Sequence, residues 1–82
     1  MQPIPPAELI RQIATALYGA GFQHELAAVL GVNRTSVRRW TMGTVEPREG
    51  VWAELLELMQ ERREQLGELI KIVAARIEPG AR

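Results

Sequence analysis

Three arginines, Arg34, Arg38 and Arg39, fall in a stretch from Leu26 to Val45 that holds no acidic residue. Guanidinium groups without a local carboxylate suit anions and guanine edges, because the planar fork donates paired hydrogen bonds to a phosphate or to O6 and N7. A second ionisable set, Glu54, Glu57, Glu61, Glu64 and Glu68, recurs at three- and four-residue spacing. Paired carboxylates are tools of acid and base catalysis, but this spacing describes one wet face of a helix, and nothing else catalytic converges on it. With one His, His24, and no Cys or Asp, the chain lacks the residues for a thiol nucleophile, a disulfide scaffold, a cysteine-type zinc site or an oriented general base. The expectation is therefore no catalytic residue, no metal site and no cofactor. Trp40 and Trp52 sit on apolar stripes and read as core anchors, not as platforms for stacking bases.

The elements that must position these residues are all helical. Alternation at period two is nowhere sustained, so strands have no support. Eighty-two residues, 46% of them hydrophobic and 24% charged, allow one domain spanning 1–82 with a modest core. No apolar run approaches the ~18 residues of a membrane span. The start, Met1-Gln2-Pro3-Ile4-Pro5-Pro6, lacks the basic-then-apolar layout of a signal peptide. The expected location is thus the cytoplasm, with no membrane partner.

Pro5 and Pro6 suit a first helical turn, after which Leu9, Ile10, Ile13, Ala14, Leu17 and Tyr18 follow the spacing of a buried stripe. Gly19 and Gly21 are expected to end that helix. Leu26, Ala27, Leu30 and Val32 form a second apolar set, interrupted by Gly31 at a sharp turn, and Asn33 is a preferred N-cap for a third helix from Arg34 to about Thr41. Gly43 and Pro47 bracket the next loop. At ~100° per residue from Arg34, Val37 and Trp40 average near 270° and fix the buried direction. Thr35, Arg38, Arg39 and Met42 occupy the opposite side, so the third helix presents a basic face.

From Val51 to Ile77 no Pro intervenes, and steps of four and three from Trp52 pass through Leu56, Met59, Arg63, Leu66, Ile70, Val73 and Ile77. This predicts one long helix or a pair broken at Gly67, ended by Pro79 and Gly80. The zero net charge conceals a partition: residues 23–48 carry four Arg against two Glu, residues 49–68 two Arg against six Glu, and residues 69–82 three basic against one acidic.

At the second and third helices the sequence resembles the Cro/repressor-type (XRE-like) helix-turn-helix family of bacterial and phage regulators. The run that carries the resemblance is Gln23-x-x-Leu26-Ala27-x-x-Leu30-Gly31-Val32-x-x-x-x-Val37-x-x-Trp40-x-x-Gly43-x-x-x-Pro47, and residues 5–65 fit the family's layout. It departs from the pattern at Gly21-Phe22-Gln23, where the family usually has Ser or Thr before the Gln, and at Thr41, where Glu commonly follows the Trp. The resemblance implies an all-α, compact four- or five-helix domain of the λ-repressor-like kind that lays its third helix in the major groove of double-stranded DNA, usually as a dimer on a two-fold operator. Carried over by position, Arg34, Thr35, Arg38 and Arg39 would contact bases, and Gln23, Thr41, Thr44 and Arg48 would contact phosphates. Small phage repressors, plasmid or toxin-antitoxin autoregulators and anti-CRISPR-associated regulators share this size, so the circuit and any partner protein stay open.

A monomer this small has little for the last apolar residues to pack on. Val51 to Met59 is expected to finish the monomer core, and Leu66, Leu69, Ile70, Val73 and Ile77 to form a homodimer interface within a dimerisation helix, 66–78. The alternative, from a different class, is a protein-binding helical adaptor or assembly factor whose basic face is merely solvated.

Overall fold

The computed structural model describes residues 3–77, which form four helices: α1 (Pro6–Tyr18), α2 (Phe22–Leu30), α3 (Arg34–Met42) and α4 (Glu49–Ile77). The fold is all-α, with no strand among the described residues. No helix is long and apolar enough to cross a membrane. Pro79 and Gly80, expected to end the last helix, lie outside the described residues.

Proline fixes φ and has no N–H to leave unpaired, so Pro5 caps α1 and Pro6 opens it. The helix buries Ile10, Ile13, Ala14 and Leu17, four positions of the predicted stripe, while Leu9 and Tyr18 pack on its margins. Gly19 ends α1 at φ 82°, its N–H donating to the Thr15 carbonyl at 2.8 Å. Gly21 does not share that role. It has φ −91° and stands as the N-cap of α2. In keeping with the missing Ser or Thr, α2 begins with no side-chain cap, and Phe22, absent from the predicted core, is buried there beside Leu26 and Ala27.

The C-terminal ends of α2 and α3 are closed in the same way. Gly31 adopts the left-handed conformation, its N–H donating to the Ala28 carbonyl and the Val32 N–H to that of Ala27. This paired pattern closes a helix and folds the next apolar residue back onto it, and Val32 packs against the core accordingly. At the end of α3, Gly43 repeats it with N–H bonds from Gly43 to Trp40 and from Thr44 to Arg39. Asn33 caps α3, its Oδ1 accepting the Ser36 N–H at 2.9 Å, a bond of the kind worth about 1 kcal/mol.

α4 is one continuous helix through Gly67, about 43 Å long for its 29 residues. Its inward line differs from the predicted seam. Val51 and Leu55 are the buried positions, and Leu58 and Met59 are partly buried beyond them, whereas Leu56 points out. The stripe starts one residue earlier than Trp52 because the turn after Pro47 lets Val51 enter the core formed by α1–α3. Next on this line, Arg62 closes the body: its guanidinium donates to the Leu17 carbonyl at 2.7 Å and lies 5.7 Å from the Tyr18 ring centroid. Past Arg62 the helix runs on with its apolar side chains uncovered.

Candidate nucleic-acid interface

α3 is held by its inner face. Val37, Trp40 and Thr41 are buried, and they turn Thr35, Arg38, Arg39 and Met42 outward, all exposed. Arg34 is exposed at the first position of the helix. Asn33 satisfies the Ser36 N–H, while the N–H groups of Arg34 and Thr35, in the first turn, have no protein acceptor among the described residues. That end therefore combines free backbone donors, the positive end of the helix dipole and a guanidinium, the three features that favour a phosphate or a base edge.

The arginines themselves are uncommitted. The ion pairs among the described residues are Glu8–Arg11 and Glu68–Lys71; neither involves Arg34, Arg38, Arg39 or Arg48. The glutamate face of α4 lies beside α2. Glu54, Glu57 and Glu61 flank a small cleft with Val29 and Leu30 of α2. The basic face is thus not neutralised by the acidic one, although the two cancel in the total.

The structure also sorts the predicted phosphate contacts. Gln23 is exposed in the first turn of α2, and Thr44 and Arg48 are exposed on the loop after α3. The Thr44 and Val45 N–H groups both donate to the Arg39 carbonyl, which holds that loop against the end of the helix. Thr41 departs from the expected phosphate contacts. It is 7% exposed, and its hydroxyl donates to the Arg38 carbonyl at 2.9 Å. A side chain so turned inward spends its hydroxyl on its own helix and does not face a phosphate.

No family model matches the chain, and neither the curated proteins nor the solved structures contain a significant match to it.

One contributor leaves no trace in the sequence. Arg11 of α1 donates to the Thr41 carbonyl, tying the C-terminal end of α3 to a helix thirty residues earlier in the chain. A cation there also complements the negative end of the α3 dipole. Arg11 is itself oriented by Glu8, which accepts from it and from Gln12. The Arg11 hydrogen bond, then that of Gln12, hold the Glu8 carboxyl below the usual carboxylate range. Its charged form, and with it the Arg11 orientation, is accordingly kept at neutral pH and lost only as pH falls through that lowered value. A bond between residues so far apart gives no periodic or spacing signal.

The remaining polar groups carry less chemistry. His24 is exposed beside Tyr18, Glu25 and Val29. Among the described residues no group of three or more His, Cys, Asp or Glu is placed to hold a metal ion.

Proposed function

We propose that this chain is a sequence-specific DNA-binding regulator that inserts α3 into the major groove of double-stranded DNA. The observation that carries the proposal is the outer face of α3, where Thr35, Arg38 and Arg39 stand exposed, without an ion pair among the described residues and remote from any carboxylate in sequence. Arg38 and Arg39 read guanine through O6 and N7, and Thr35 contacts a neighbouring base. Arg34 contacts a base from the first position of the helix, and the open α3 amides with Gln23, Thr44 and Arg48 bind the phosphates that fix the helix in the groove. The work is done by a homodimer, joined through Leu66, Leu69, Ile70, Val73 and Ile77, acting in the cytoplasm as a small repressor or autoregulator that occupies its operator and blocks polymerase.

Selection of bound duplexes from a random pool tests this. The expected product is a palindrome whose half-sites contain guanine and lie about 34 Å apart, the separation of successive major grooves on one side of the duplex. A pool that never enriches would make the adaptor reading the better one.

A further inference from the structure

The far half of α4 leaves a run of apolar side chains uncovered. Leu66, Leu69, Ile70, Ile72, Val73 and Ile77 are each between 50% and 69% exposed. Contiguous apolar surface of this kind marks an association site in a folded monomer. It is also no separate feature. At ~100° per residue, Leu66, Ile70, Val73 and Ile77 fall within about 40° of the direction of Leu55 and Met59, so the stripe that the first half of α4 buries continues along the same side after the body ends.

Where body and overhang meet, an open apolar groove of about 450 Å³ runs between α1 and α4. Ala16 and Leu17 form one wall, and Met59, Leu66, Gly67 and Ile70 the other. Gly67 is unexplained within one copy. Glycine in a helix interior costs about 1 kcal/mol relative to alanine, and a Cβ at this position would meet nothing within 4 Å. The chain makes no turn there and packs nothing against it. A close approach by something from outside would require such a residue.

We propose that the groove between α1 and α4 receives the α4 overhang of a second copy, the two helices crossing antiparallel beside Gly67. This rests on the homodimer half of the function proposed above and states how that dimer is built. With a two-fold axis at the level of residue 68, Leu66 meets Ile70 of the other copy, and Met59 meets Ile77, which lies about 27 Å further along α4. Each overhang then fills the apolar groove of the other copy with its own apolar side chains, so the same surfaces are satisfied twice, as an isologous contact requires. Charge agrees with the arrangement. The negative C-terminal end of the incoming helix arrives within a turn of Arg63, which is exposed and makes no ion pair among the described residues. A parallel pairing would instead bring two negative helix ends together and leave both grooves open.

The chain contains no cysteine, which makes cross-linking of the full protein unambiguous. Met59→Cys and Ile77→Cys proteins, made separately and mixed under mild oxidation, are expected to form a disulfide-linked heterodimer, while neither variant alone links to itself. Gly67→Gln, which improves helix propensity but fills the crossing point, is expected to leave far-UV circular dichroism unchanged. In sedimentation equilibrium it should weaken dimerisation about tenfold or more. A dimer in which Met59→Cys or Ile77→Cys links to itself, or whose affinity is untouched by Gly67→Gln, overturns the antiparallel seat but leaves the homodimer standing. A monomer of the unaltered chain at micromolar concentration overturns both and gives the groove to a different protein.

Discussion

Replacing Arg38 and Arg39 together by Ala is expected to lower affinity for the selected duplex about 100-fold or more, with no loss of folding. Each guanidinium fork on a guanine is worth about 1–3 kcal/mol of discrimination, and removing two such forks from one helix face gives that magnitude. Folding is spared because neither side chain touches the core: both are exposed and make no ion pair among the described residues. Binding isotherms on the selected duplex and on a scrambled one separate the roles. The double substitution should bring the two affinities together, since what remains is attraction to phosphate. Arg48→Ala, by contrast, should weaken both duplexes alike and reduce the salt slope by about one per copy, about two for the dimer. Equal affinity of the double variant and the unaltered chain for the selected duplex would remove α3 as the reading element.

Trp40→Ala should act in a different way, through the fold. Trp40 is 7% exposed and packs in the same cluster as Ile10, Leu26 and Val37, so it fixes α3 to α1 and α2 from the face opposite the arginines. Truncating a buried aromatic to Ala costs about 3–5 kcal/mol, through reduced burial and the cavity left behind. A domain of this size has only about 4–12 kcal/mol in total. The thermal midpoint should fall by at least about 12 °C at fixed protein concentration, and the apparent affinity for DNA should follow the folded fraction. Trp52→Ala, at a half-buried position, is expected to cost markedly less. A Trp40→Ala protein that melts like the unaltered chain would mean that α3 is held in some other way.

Local chemistry makes most of this fold legible from residue types and spacing. Asn33, Gly31 and Gly43 each act within a turn of themselves, and the stripe of α1 needs only helical spacing, so cap, turns and face are readable from type and position. What escapes such reading depends on partners distant in sequence. Thr41 has the composition of a phosphate ligand, and only the packing of α3 on α1 shows that it points inward and that its carbonyl takes a bond from Arg11. α4 carries more apolar residues than one face can bury, so two interleaved lines compete in its sequence. The entry of the chain after Pro47, itself buried, selects Val51 and Leu55 over Trp52 and Leu56. Gly21 and Phe22 are ambiguous for a similar reason: two glycines in three residues mark a turn without saying which helix each one bounds.

In the proposed function the arginines around α3, which make no ion pair among the described residues, bind the DNA backbone and its guanines. The most direct test is the affinity of the intact chain for the selected duplex, measured from about 50 to about 200 mM salt. Neutralising phosphates releases counterions, so log affinity falls linearly with log salt at close to one unit per phosphate engaged. With Arg34, Arg48 and the arginines of the outer face in play on each copy, the predicted result is a steep fall of several units in slope. Binding that is absent at the lowest salt, or that holds constant across the range, would contradict the account.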